Sequence, residues 1–530
     1  MLSRHGIYRP PPSGAHVSGR IVAGADLTDD VDVACDVCIV GSGAGGATLA
    51  AGLAQRGLHV IMLEEGGHHT SRDFVGEEGV NYPMLYQDRG TRATADLAFT
   101  ILQGRSVGGG TTVNWTTCFR TPDPILERWR DVHGVEGVDP ATMAPHFDAV
   151  EARLGITPWS EDRVNENNRV LLDGARKLGW SAEILHRNVR NCQNSGLCGM
   201  GCPYDAKQGM LLTYVPDAVA AGMTLYADAR VERLEVAGGR VIAVRAVGME
   251  RGRDRTTARR IVVRPKVCVA SGGAINTPAL LMRSGIGGSG LGTRLFIHPV
   301  VAVSGQYARP IEGYAGAPQS VASHQFVDRG AGKLGYFLET APVQPMLAAG
   351  ALPFSGARQA AMMRELPHTA SLLALGIDGV LPGDVGGTVS LRPDGRIRVD
   401  YPVTEPLVEA WRDAHRSMAR IHLAAGAERV LTMHVEPVEL RSEADLPLLD
   451  TAPYGALQHS AFTAHQMGGC AMGGSPETSV VDSQHRHWQV ANLFVVDGSV
   501  FPTSLGVNPS ETIYGLAHRA RDFVADAANR

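Results

Sequence analysis

The sequence predicts an α/β protein organised around a Rossmann-like dinucleotide-binding unit, and two observations carry that prediction. The apolar run 37–40 leads straight into Gly41-Ser42-Gly43-Ala44-Gly45-Gly46 and a small-residue helix through Gln55. A second apolar run, 59–63, then ends in Glu64. Strand, tight turn, helix and strand follow one another at the spacing that cradles a diphosphate.

Each glycine has a separate task. Gly41 permits the sharp turn, Gly43 lets backbone amides approach a pyrophosphate, and Gly46 lets the helix lie close to the sheet. The helix N-terminus presents unpaired N–H groups to the anion. Glu64 stands eighteen residues beyond Gly46, where a carboxylate accepts hydrogen bonds from both ribose hydroxyls. An acid there disfavours a 2′-phosphate, so FAD or NAD fits better than NADP.

Composition narrows the class. A chain of 530 residues with 44% hydrophobic content is long enough for a large core and for two or more lobes. The net charge of −5 gives no electrostatic case for nucleic acid or anionic lipid as partner. The N-terminal stretch MLSRHGIYRPPPSGAHVSGR has no continuous apolar core and nothing later approaches a membrane span, so a cytoplasmic setting is the expectation. Eight cysteines are too few for a disulfide scaffold at this length, and Cys35 and Cys38, in or beside the first strand, read as buried packing.

Along the chain, GRSVGGGTTVNW (104–115) sets three glycines between Val107 and Thr111, a loop that could pass against a flat ring with no Cβ in the way. Cys192, Cys198 and Cys202 fall within eleven residues, but the spacing matches neither a ferredoxin run nor a zinc pair and no fourth ligand is evident. A structural Gly-rich loop is the favoured reading, and no metal site is assigned. Residues 266–270 read as a further sheet strand, followed by a helix with Pro278 in its first turn. Between 301 and 455 lie short alternating apolar stretches, a hairpin turning at Pro393, Asp394 and Gly395, and a long helix over 405–426.

Taken together, the dinucleotide unit, GRSVGGGTTVNW, GAINTPALLMRSGIG (273–287), HQMGGCAMG and VDGSVFPTSLGVNPSETIYGLAHRA resemble the glucose-methanol-choline (GMC) family of FAD-dependent oxidoreductases. VGGGTTVNW, NCQNSGLCGMGCPYDAK and GVNP resemble its long-chain (fatty) alcohol oxidase branch most. The resemblance implies a discontinuous FAD-binding domain over 30–125, 210–300 and 456–530, a helical and Cys/Gly-rich insert over 126–209, and a substrate-binding domain over 301–455. That last domain would be a large, mostly antiparallel sheet flanked by helices, roofing the flavin. Met346, Leu347, Leu352, Phe354, Met362 and Met363 could line an apolar channel there, or equally serve as ordinary core or oligomer contacts.

Carried over position by position, the resemblance has Gly41, Gly43 and Gly46 bind the pyrophosphate and Glu64 the adenosine ribose. Val107, Gly109 and Asn114 would line the flavin, Val231 would meet adenine through its backbone, and Asp497 and Gly498 would hold the ribityl and phosphate region. Some members attach FAD covalently through a histidine just before the position of Asn114; Val113 stands there in this chain, so noncovalent FAD is expected.

The expected reaction is oxidation of an alcohol, primary and hydrophobic or long-chain, to the aldehyde or ketone, with oxygen or another acceptor taking the electrons. A base must remove the hydroxyl proton, and neutral imidazole suits that near pH 7. The resemblance selects His465, at the head of HQMGGCAM, and pairs it with Asn508 of GVNP, forty-three residues on. Asn508 would orient the substrate oxygen. The helix after Pro509 would aim its positive end at the flavin. His298, in FIHPV, reads as a turn, and His459, His485, His487 and His518 as structural or exposed. An FAD-containing lyase or decarboxylase, or a dehydrogenase of sugar or sterol hydroxyls, are the alternatives.

Overall fold

The apolar runs of this chain do assemble into two sheets that share one cavity between them. The computed structural model describes residues 19–252 and 254–530; the N-terminal stretch to residue 18 lies outside the described residues.

The first sheet has eight strands among the described residues. They are β1 (Arg20–Ala23), β2 (Val31–Val40), β3 (Val60–Leu63), β4 (Thr224–Ala227), β5 (Ala229–Ala237), β6 (Arg240–Met249), β7 (Thr256–Ala270) and β8 (Leu493–Val495). The order is β1-β4-β3-β2-β7-β6-β5, with β8 also on β7. The pairs from β1 to β7, and β7 with β8, are parallel; β7–β6 and β6–β5 are antiparallel. The inner strands are covered on both faces, which is why they read as continuous apolar runs: all four residues of β3 are buried, as are Val37 to Val40 of β2. Cys35, Cys38 and Cys268 are part of this core.

Helix α1 (Ala44–Ala54) leaves the C-terminal end of β2 and packs so closely that a Cβ on Gly46 would come 2.0 Å from the Gly41 carbonyl oxygen. Helix α2 (Gly273–Arg283) leaves β7 in the same way. Pro278 is its sixth residue rather than part of its first turn, because the helix already begins at Gly273.

The second sheet is mainly antiparallel: β9 (Val300–Gln306), β10 (Tyr336–Thr340), β11 (Thr369–Gly376) and β12 (Arg429–Thr432), backed by the long helix α3 (Glu405–Ala424). Its centre is covered on both faces, and all eight residues of β11 are buried. The hairpin Thr388–Leu391/Ile397–Asp400 forms with Thr388 opposite Asp400, and Gly395 adopts φ +78 in its turn.

This sheet reaches beyond 301–455: Phe462–Thr463 pairs with both β9 and Thr100–Ile101. The extension matters because it delivers His465, two residues further on, to the roof of the cavity. A closing helix, α4 (Ser510–Asn529), runs back under the first sheet against α1. No helix among the described residues is long and apolar enough to cross a membrane.

Candidate active site

A cavity of about 970 Å³ runs from the glycine turn between β2 and α1 to the end of the second sheet. At the turn, Gly43 is the N-cap of α1 and lines the cavity with Gly41 and Gly45. Glu64 lines it too, but its carboxylate is already engaged: Oε2 accepts from Ser42 N (3.0 Å) and Ser42 Oγ (2.7 Å), and Oε1 from Gly66 N (2.9 Å). Burial raises its pKa, and those three donors pull it back. Glu64 therefore fixes the turn, with the remaining lone pairs left for a ribose. Val231, beside a register shift in β5, lines the cavity as well.

The second glycine loop faces the first. Gly109 adopts φ +53, ψ −137, and a Cβ there would come 2.8 Å from Gly43 Cα, so a side chain at Gly109 would crowd the first loop. Asn114 follows a short helix, Gly110–Val113, and its Oδ1 is buried with no partner. Lys207 holds this loop from behind: fully buried, it donates to the carbonyls of Thr112 (2.7 Å), Asn114 (2.7 Å) and Cys198 (2.6 Å). Burial pushes its pKa down to about 8. The loop carrying Cys192, Cys198 and Cys202 is thus tied to the cavity wall. All three thiols are free, and no group of three or more His, Cys, Asp or Glu side chains is arranged for a metal among the described residues.

At the far end the elements converge on an imidazole. Thr463 Oγ1 donates to the Ile297 carbonyl and accepts the His465 N–H (3.1 Å), which ties the segment carrying His465 to the start of β9. His465 Nε2 lies 3.3 Å from Asn508 Nδ2, and both residues line the cavity. Desolvation pushes the pKa of His465 down to about 4, so it is neutral near pH 7.

Behind it stands His298, with its Nδ1 3.1 Å from Nδ1 of His465. Gly506 N–H donates to His298 Nε2 (3.2 Å). His298 then carries its proton on Nδ1 and donates to His465, whose own proton rests on Nε2. His298 is more than a turn residue: it is held at φ +43, with its N–H on Asp378 Oδ1 (3.2 Å). Strained backbone of this kind persists where neighbours enforce it. The helix α4 begins here, and Pro509, Ser510 and Ile513 line the cavity.

Several expectations need correction. Gly46 and Val107 do not line the cavity. Gly46 is used up by the contact of α1 with β2, and Val107 lies fully buried under the glycine loop with its N–H on Gly67 O (3.0 Å). Asp497 and Gly498 do line it, although Asp497 spends its carboxylate on Gly273 N (2.7 Å), Thr277 Oγ1 (2.6 Å) and Ser499. Met346, Leu347, Leu352, Phe354, Met362 and Met363 do not line this cavity: the two helices here, Pro345–Ala351 and Gly356–Arg364, bury no residue, and Leu352 and Phe354, between them, are only half-buried. The cavity instead takes its apolar wall from Trp115, Val300, Leu373, Leu375 and Phe462. Of the other histidines, His459, His485 and His487 are buried, His518 pairs with His146, and none lines the cavity.

FAD fits these residues. A glycine cradle open on the cavity side, an orphaned Asn114 oxygen at mid-cavity and a helix N-terminus at the far end match a diphosphate, a ring with N–H donors and a ring that becomes anionic.

The GMC oxidoreductase pattern matches residues 82–300 and again 382–517, and a Rossmann-like NAD(P)-binding pattern matches 39–94. An uncharacterized GMC-type oxidoreductase of Mycobacterium tuberculosis is 35% identical over 493 residues, covering 92% of this chain and 75% of its own. The chain belongs to the GMC oxidoreductase family. It is an FAD-dependent oxidoreductase. A long-chain-alcohol oxidase of Arabidopsis thaliana is 31% identical, over 96% of this chain and 70% of the relative. Among solved structures, pyridoxine 4-oxidase from Mesorbium loti superposes with a TM-score of 0.68 at 21% identity, over 92% of this chain and 99% of that one, a likeness of fold.

Proposed function

We propose that this GMC oxidoreductase oxidises an alcohol, primary and with a hydrophobic or long chain, to the aldehyde. The reading rests above all on one juxtaposition: His465 and Asn508, 3.3 Å apart, end the same cavity that the glycine turn begins. The substrate hydroxyl sits between these two side chains, with the Asn508 amide orienting its oxygen and His465 receiving its proton at Nε2 in the tautomer that leaves that nitrogen bare. The apolar wall of Trp115, Leu373, Leu375 and Phe462 takes the carbon chain and keeps water from the reacting carbon. Bound FAD supplies the hydride acceptor. The Arabidopsis relatives named as long-chain-alcohol oxidases support the substrate class.

Anaerobic mixing with a panel of alcohols tests the reading: bleaching of the flavin band is expected, fastest with long primary alcohols. Turnover without bleaching would favour a lyase instead. Readmitting oxygen then separates an oxidase from an enzyme that needs another acceptor. Replacing Asn508 with Ala is expected to slow flavin reduction by roughly 10- to 100-fold through poorer alignment, less than loss of the imidazole, with FAD retained.

The cofactor is held noncovalently in this proposal. Val113 occupies the expected attachment position, His465 is the one imidazole among the described cavity-lining residues, and no thiol lines it. Heat or acid denaturation followed by ultrafiltration should leave the yellow colour in the filtrate; colour staying with the precipitated chain would contradict it.

A further inference from the structure

The oxidation outlined above gives Glu339 no part, yet this carboxyl is fully buried in β10 at the cavity wall beside Asn508. Its Oε2 accepts from Gln319 Nε2 (2.9 Å) and faces Asn508 Nδ2 at 3.5 Å. Its Oε1 and the Oδ1 of Asn508 are both buried without a partner. No lysine or arginine pairs with it among the described residues; burial pushes its pKa up to about 8, against the pull of Asn508 and Gln319.

The two ends of an amide have the same shape, so its neighbours decide what Asn508 presents. A protonated Glu339 offers an O–H and favours the amide oxygen, which then also accepts the Nε2–H of His465. An ionised Glu339 can only accept and favours the NH₂ end, which donates to the carboxylate and to a bare Nε2. The histidine pair has a matching state for each. In the first, Gly506 N–H feeds His298 Nε2, and His298 donates through Nδ1 to His465. In the second, the proton between the rings belongs to His465 and Nε2 is bare, at the expense of the Gly506 contact. Passing from the first state to the second releases one proton, from Glu339. Besides His465 and His298, the titratable group packed on this network is Asp378, which accepts from His298 N and Tyr401 Oη (2.7 Å).

We propose that Glu339 is a positioning residue that decides which end of the Asn508 amide faces His465, so that His465 is bare at Nε2 only when Glu339 is a carboxylate. This rests on the reading of His465 as the proton acceptor.

The test uses the FAD-loaded enzyme and anaerobic stopped-flow reduction by a good alcohol across about pH 6 to 10. The limiting reduction rate should rise at least about tenfold through one ionisation near pH 8. Glu339→Gln should flatten that limb, because an amide cannot ionise, and Glu339→Asp should keep it. A limb unchanged in Glu339→Gln overturns the proposal. A second readout needs no turnover: NMR of isotopically labelled histidine, with the His465 signal assigned by its loss in His465→Asn. Nε2 should pass from protonated to bare as pH rises in the natural protein and should not do so in Glu339→Gln; the same titration in both overturns the proposal. If no alcohol reduces the flavin at any pH, alcohol oxidation falls while the NMR titration still decides the role of Glu339.

Discussion

Replacing His465 with alanine will abolish flavin reduction by alcohol while leaving the protein yellow. Hydride cannot leave a carbinol carbon at a useful rate until the hydroxyl proton has somewhere to go, and general-base help is worth ~10²–10⁴ in rate. No other imidazole lines the cavity among the described residues, so no neighbour can stand in. FAD should stay, because the glycine turn and Glu64 lie at the opposite end of the cavity from His465. The measurement is the anaerobic reduction rate together with the flavin-to-protein ratio; an unchanged rate would remove His465 from the mechanism.

The same burial has a consequence for acid stability. Folding lowers the pKa of His465 from 6.5 to about 4, so the unfolded chain binds the proton more readily. The stabilisation from a neutral His465 is complete above the unfolded value and is lost as pH falls toward 4. His298, depressed by burial and by His465, acts in the same direction.

The sequence told most about the parts that are local in the chain. The turn from Gly41 to Gly46, the strand ending in Glu64 and the hairpin at Gly395 are each fixed by neighbours within a few residues, and periodicity with glycine placement reports them directly. His465 and Asn508 were legible only through the company of their motifs, since nothing local distinguishes one histidine from nineteen.

The partners that set their chemistry come from distant elements. His298 reaches His465 across 167 residues, and Glu339 reaches Asn508 across 169. One signal was present and passed over: Glu339 is the charged residue in YFLET, a strand whose every position is buried. An acid in such a strand has either a partner or a function. The methionine-rich segment stayed ambiguous in the sequence, because apolar composition does not say whether a short helix faces inward or rides on the surface.

Replacing Gly43 with valine will give a folded protein that binds FAD far more weakly. The four glycines of the turn differ in what their missing side chains leave room for. A Cβ on Gly41, Gly45 or Gly46 would come 2.2, 1.9 or 2.0 Å from a backbone oxygen, so those substitutions damage the fold itself. Gly43 has φ −71 and ψ −162, which any residue adopts, and its Cβ would meet only Gly109 Cα at 3.9 Å. Valine there adds its methyl groups to the cavity side, where a diphosphate must approach the N–H groups that open α1.

The expected loss of FAD affinity is on the order of 100-fold, about 2.7 kcal/mol at 25 °C. The readout is linkage: added FAD raises the Tm of the natural apoprotein in proportion to the logarithm of its concentration, and the variant needs about 100-fold more FAD for the same rise. Equal Tm values for the two apoproteins show that the fold survived the substitution. If FAD then stabilised both proteins alike, the diphosphate would have to bind away from this turn. The placement of the ring against His465 would lose its anchor with it.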